Sequence, residues 1–174
     1  MNKKINNLIK AIKKSDITAV SRLTNLNHID HQMGCNALIV AVKHGKLEIV
    51  KALVEAAIKR KTIQSHLEHV SEDHETALLA AYNHPWIASY LIKVSVKAGV
   101  DLNQKDRDGN TVLMRAVSSI IEMNDESHYP PYLPFEIPDT IDRNHEKSLI
   151  VSCLCRYGAN INSKNKMDQI ALDT

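Results

Sequence analysis

The chain has 174 residues, of which 44% are apolar, 24% charged and only 4% aromatic, and its formal net charge is +2. That composition supplies one buried core or one array of repeated units. It excludes a membrane span, since no apolar run of about 18 residues occurs, and three cysteines, an odd number, give no disulfide framework.

At the N-terminus, Met1 to Lys4 is basic, but Lys and Asn then alternate with Ile and Leu, so no signal-peptide core follows. A cytosolic location is the expectation. Ile5, Leu8, Ile9 and Ile12 follow helical spacing, and Val20 with Leu23 marks a second helix. Residues 1–30 form a first unit that has no turn signature ahead of its first helix. Lys3, Lys4, Lys10, Lys13 and Lys14 would give it a polar outer face, as a terminal cap requires. Through Lys61 there are twelve Lys and Arg against four Asp and Glu, and from Thr62 to Thr140 five against twelve. The basic third falls on the polar side of amphipathic helices, so a solvated face is favoured over nucleic acid or an acidic membrane.

The second unit spans residues 31–70. Asn36-Ala37-Leu38-Ile39-Val40-Ala41 opens its first helix, and Gly45-Lys46-Leu47-Glu48-Ile49-Val50-Lys51-Ala52-Leu53 turns into its second, whose stripe continues through Val54, Ala57 and Ile58. Cys35 is placed in the turn before it. His66 and His69 with Asp73 form at most half a metal site, so no metal is expected. A Cys35–His44 dyad has no third group to orient it, so no catalytic role is assigned. The third unit, 71–105, repeats the pattern at Thr76-Ala77-Leu78-Leu79-Ala80-Ala81. Pro85 is suited to the first position of its second helix, and Trp86, the only tryptophan, is expected to pack on the turn.

The fourth unit, 106–164, carries the clearest signal. In Asp106-Arg107-Asp108-Gly109-Asn110-Thr111-Val112-Leu113-Met114-Arg115-Ala116, Asp106 and Asp108 can bond their own backbone to hold a turn. Gly109 there, like Gly99 before it, can take a positive φ, and Thr111 is placed as an N-cap. The first helix runs through Ile120, Ile121 and Met123 and the second resumes near Lys147. Residues 124–146 stand between them as an insertion in which Tyr129, Tyr132 and Phe135 lie among four prolines. Such a segment cannot be helix or central strand. Cys153 and Cys155 read as small buried hydrophobes. At 165–174, Gln169-Ile170-Ala171-Leu172 resembles the opening of a fifth unit.

Ala98-Gly99-Val100-Asp101-Leu102-Asn103, repeated as Tyr157-Gly158-Ala159-Asn160-Ile161-Asn162, together with the Asp-x-x-Gly-x-Thr-x-Leu-x-x-Ala run at Asp106, resembles the joint between ankyrin repeats. The resemblance covers nearly the whole chain. It implies an all-α solenoid of helix-turn-helix units with short hairpin-like turns, monomeric, with no cofactor. It also implies a non-enzymatic function, the binding of another protein on a concave face.

Contact positions carried over from the family are Gln32, Met33, Cys35, Lys43 and His44; Glu72, Asp73, Glu75, Asn83 and His84; and Arg107, Asp108, Asn110, Ser118 and Ser119. The acidic trio Glu72, Asp73 and Glu75 is expected to meet a basic patch on the partner. Tyr129, Tyr132 and Phe135 would add a second binding element. Departures from the pattern are Asn36 for Thr, His74 for the turn Gly and a short turn before Asn36. The alternative is the targeting portion of a larger effector-like protein with catalytic activity beyond residue 174. The Lys, Asn and Ile bias resembles that of intracellular bacteria and large viruses, whose ankyrin proteins are delivered into a host cytosol.

Overall fold

The computed structural model describes residues 7, 10–20, 31–124 and 143–172, and leaves out the side chains of 31–36, 121–124 and 143–147. Seven helices are described in full: α1 (His31–Lys43), α2 (Leu47–Lys59), α3 (Ile63–Glu68), α4 (Ala77–Ala80), α5 (Pro85–Ala98), α6 (Val112–Asn124) and α7 (Arg143–Arg156). Residues 10–13 and 17–20 are also helical. Among the described residues there is no strand, only an isolated antiparallel bridge between Lys105 and Thr111. The fold is all-α.

The same local bonds recur at each register. Thr76 Oγ1 accepts the Leu79 amide at 3.3 Å and Thr111 Oγ1 the Met114 amide at 3.3 Å, so both threonines cap a helix 35 residues apart in the manner their chemistry predicts. The residues that follow each cap are buried alike: Ala77, Leu78 and Leu79 in α4 with Ala81 just after it, Val112, Leu113, Met114 and Ala116 in α6, with Ala37, Leu38, Ile39 and Ala41 matching them in α1. Of these first helices α4 packs against both α1 and α6, and of the second helices α5 packs against both α2 and α7. Leu53, Leu91 and Ile150 occupy equivalent buried places in these second helices. The core is the seam between the first and second helices.

Three of the helices end on left-handed residues that close them in the same way. Gly99 (φ +71°) and Gly158 (φ +85°) close α5 and α7, and Lys61 (φ +58°) closes α2, each followed by an amide that reaches back five residues, as from Val100 to Ser95 and from Ala159 to Leu154. The short α3 accounts for the overlong spacing between the second and third units. It buries Leu67, and Gln104 Nε2 donates to the Leu67 carbonyl at 3.3 Å. Its His66 Nδ1 donates to the Thr62 carbonyl at 2.8 Å.

Five expectations need correction. Cys35 belongs to α1, which starts at His31, not to a turn, and Gln32, Met33 and Gly34 lie in the same helix. The second helix of the fourth unit starts at Arg143, ahead of Lys147. Trp86 is 62% exposed because α5 turns Ile87, Ala88, Leu91 and Ile92 inward and leaves position 86 in register with the exposed Glu48 of α2. Ile58 falls outside the buried stripe of α2, being 51% exposed. Cys155 is also exposed. It stands in register with Ile58 and with Val96 of α5, which likewise faces out. Cys153 is half-buried, its Sγ 3.5 Å from Ser89 Oγ. Tyr129, Tyr132 and Phe135 lie outside the described residues.

Candidate binding cleft

Three tight hairpin turns, at 71–75, 106–110 and 165–169, share one bonding plan, and the first two precede α4 and α6. Ser71 N donates to Glu75 O, Asp106 N to Asn110 O and Asn165 N to Gln169 O, at 2.9, 3.0 and 3.0 Å. In each, the first side chain braces the turn. Ser71 Oγ accepts the Glu75 amide, Asp106 Oδ1 those of Asp108 and Asn110, and Asn165 Oδ1 those of Met167 and Gln169. These are Asx- and Ser-type turns, in which a short polar side chain substitutes for a backbone acceptor.

The fourth position of each turn is left-handed and is filled by His74 (φ +58°), Gly109 (φ +83°) and Asp168 (φ +63°). Glycine is favoured at 109 by its positive φ and because a Cβ there would lie 3.0 Å from the Lys166 amide nitrogen of the next turn, closer than ordinary contact. His74 is exposed and takes the same backbone with a side chain, a conformation that costs a non-glycine residue about 1 to 2 kcal/mol. His74→Gly is therefore expected to raise stability by about 0.5 to 1 kcal/mol, after the entropy glycine gives back to the unfolded chain. Chemical denaturation measures this, and a loss of stability would show that the His74 side chain makes a contact worth more than the strain.

A ladder of charge runs across the units beside these turns. Lys43 Nζ, at the end of α1, lies 2.6 Å from Glu75 Oε2 and 3.4 Å from Asp73 Oδ2. Glu75 Oε1 then accepts from Arg115 Nη1 of α6 at 2.9 Å, and Arg115 Nε donates to Asp106 Oδ2 at 2.8 Å. The Arg115 guanidinium sits 5.5 Å from the centre of the Tyr82 ring, within cation–π range. Burial works against ionising Glu75, but the hydrogen bonds and charges of Lys43 and Arg115 outweigh it and hold the carboxyl below its usual range. Asp106 is also depressed, with burial outweighed by the Asn110 amide, Arg115 and the Asp108 amide. Lys43 is raised, chiefly by its hydrogen bond to Glu75, and Arg115 is raised by Glu75 and Asp106 against the effect of burial.

Between the second and third turns and the flank of α6 lies a cleft of about 620 Å³, a size that accepts a ligand or a short stretch of polypeptide. Its lining gathers Glu75, Asp108, Asn110, Ser118 and Ser119, five of the positions expected from the sequence, and adds Tyr82, Arg115, Asn165, Lys166, Met167 and Gln169. Sequence reasoning missed the second set. The four from 165 to 169 had a signal, because Asn165 and Gln169 repeat Asp106 and Asn110 at a separation of 59. Of the remaining expected positions, Glu72 and Asp73 are exposed at the first hairpin tip, Arg107 at the second, and His44 and Asn83 in inter-helix turns. His84 is half-buried, and a Cβ at Gly45 would come within 3.0 Å of its ring.

The acidic trio does not act as one unpaired patch, since Asp73 pairs with Lys43 and both oxygens of the Glu75 carboxylate are in ion pairs, while Glu72 is exposed. Reversing its charge would cost stability. Among the described residues there is no cluster of His, Cys, Asp and Glu arranged to hold a metal ion, and no helix long and apolar enough to cross a membrane.

Comparison with known proteins adds one match. No curated protein matches the chain. Residues 33–62, which include most of α1 and all of α2, match the family model of the ankyrin repeat. The helix pair and its glycine turn at Gly45 (φ +64°) fall within that match: over residues 33–62 this all-α chain carries an ankyrin repeat.

Proposed function

We propose that the protein is a non-enzymatic interaction module whose units stack as a solenoid and hold another protein on the concave side. Ankyrin repeats are interaction modules, and that general assignment comes with the match at 33–62. The site is assigned here from one observation, the cleft beside α6. Five positions expected to touch a partner, Glu75, Asp108, Asn110, Ser118 and Ser119, converge in its lining. Part of the cleft lining is preorganised, with Arg115 held by Glu75 and by Asp106 behind it, so a partner would meet groups already fixed in place and lose little entropy in ordering them. The reading extends to a monomer acting in a cytosol, with residues 124–146 as a second contact.

Affinity capture with quantitative mass spectrometry tests this, using the wild type against Asp108→Arg/Ser118→Arg. Both substitutions put bulk and charge into the cleft without touching the ladder. A genuine partner should fall at least about tenfold in recovery, the loss of one to two kcal/mol expected when a central contact is blocked, with melting temperature unchanged. Equal recovery by the folded variant would place binding elsewhere.

A further inference from the structure

The hydrogen bonds around Asn165 fix which way every amide in the cleft faces. Backbone N–H groups only donate, so the atom of Asn165 that meets the amides of Met167 and Gln169 must be its oxygen. Its nitrogen then points the other way and donates to Asn110 Oδ1 and Gln169 Oε1, each at 3.0 Å. Both of those side chains are thereby locked with their oxygens turned to Asn165 and their NH2 groups left over. Neither NH2 group has a partner among the described residues, and the same holds for Nη2 of Arg115, whose Nε and Nη1 are taken by Asp106 and Glu75. The side-chain amide oxygens are consumed inside the protein and the amide and guanidinium donors remain.

The charges do not show a matching bias. Glu75 and Arg115 neutralise each other, and the two lining charges that lack an ion-pair partner among the described residues are one of each sign, Lys166 and Asp108. A site rich in donors but balanced in charge selects neutral acceptors over anions.

On the reading that the cleft holds a partner protein, we propose that it holds an extended, uncharged segment of that partner by the segment's main-chain carbonyl oxygens, with Asn110, Gln169 and Arg115 as the reading donors. Extended backbone presents carbonyls at regular intervals to either side, and the Tyr82 ring beside Arg115 gives the segment an apolar wall to lie against. A carboxylate ligand would also accept these bonds, but it would meet Asp108 at the rim.

The test uses the whole chain and a displayed library of short unstructured peptides as probe. Asn110→Asp/Gln169→Glu keeps both oxygens that receive Asn165 and replaces both free NH2 groups with acceptors. Wild type is expected to enrich peptides lacking charged residues at their centre. The selected peptide should bind the double variant at least about tenfold more weakly, the effect of two lost hydrogen bonds. Raising salt from about 0.05 to about 0.5 M should change wild-type affinity less than about threefold. Should the double variant fail to fold, Gln169→Glu alone carries the test at about threefold. Equal or tighter binding by the variant overturns the donor assignment. A steep salt dependence, or enrichment of acidic peptides, overturns the neutral segment in favour of a carboxylate. If wild type selects no peptide while the capture experiment still finds a cleft-dependent partner, this proposal falls and the concave-face reading stands.

Discussion

Leu113→Ala is expected to lower stability by about 2 to 5 kcal/mol, the range for emptying a buried leucine position whose surroundings relax only in part. Leu113 is 3% exposed, and α6, which carries it, packs against both α4 and α7. The cavity would therefore open at a junction of three helices. In a stacked array each unit is stabilised by its neighbours, so a loss at one interface weakens the units on both sides. The chain also contains its own control. Leu172 occupies the same register after the third hairpin turn as Leu113 does after the second, yet it is 80% exposed. Leu172→Ala should change stability by less than about 0.5 kcal/mol. Denaturant unfolding of the two variants measures burial with the side chain held constant, and equal effects would mean that the register is wrong.

Much of the fold was legible because the local signals carry their own mechanics. Thr76 and Thr111 cap helices because their hydroxyls lie one turn from an orphan amide, and Gly99, Gly109 and Gly158 take left-handed backbone where an L side chain is strained. Signals that depend on tertiary context were not legible. Trp86 follows Pro85 at a turn and is expected to pack there, but its place on α5 is set by the helix register of Ile87 and Leu91, which outweighs the preference of one side chain. Cys155 failed for the same reason. For α1, the short turn expected before Asn36 is helix from His31. The cleft was half legible. Family positions gave Asn110 and Ser118, but the ladder could not be seen in sequence, because Lys43, Glu75 and Arg115 lie 32 and 40 residues apart and meet only once the units stack.

That ladder makes the second large prediction. Arg115→Ala removes two charge-assisted bonds and the contact with Tyr82, and it leaves Asp106, whose side chain is only 3% exposed, without its counter-ion. Glu75 keeps Lys43 and Asp106 keeps two backbone amides, so the cost should fall below that of a fully stranded buried charge. About 2 to 3 kcal/mol is expected. The pH dependence follows from the directions of the shifts. Glu75 and Asp106 are more acidic folded than unfolded, so their stabilisation is complete above the ordinary carboxylate values near about pH 4. It is lost as pH falls through their lower folded values. Lys43 is shifted upward, so its smaller, partly solvated share is complete below the ordinary lysine value and is lost only as pH rises through the raised folded one. Wild-type stability should be flat through neutrality and decline on the acid side. In Arg115→Ala the acid decline should be shallower, because the carboxylates have less left to lose.

The claim on which the rest depends is that successive units are fastened across the cleft, so that a hairpin in one and a helix in the next form a single preorganised surface. A double-mutant cycle on Glu75 and Arg115 measures that directly, with denaturant unfolding of wild type, Glu75→Ala, Arg115→Ala and the double variant at neutral pH. A coupling of about 1 kcal/mol or more is predicted, since the two side chains share a bond of 2.9 Å across 40 residues of sequence. Effects that add to within about 0.3 kcal/mol would mean that the two residues do not meet, and the cleft built on their contact would not exist in solution.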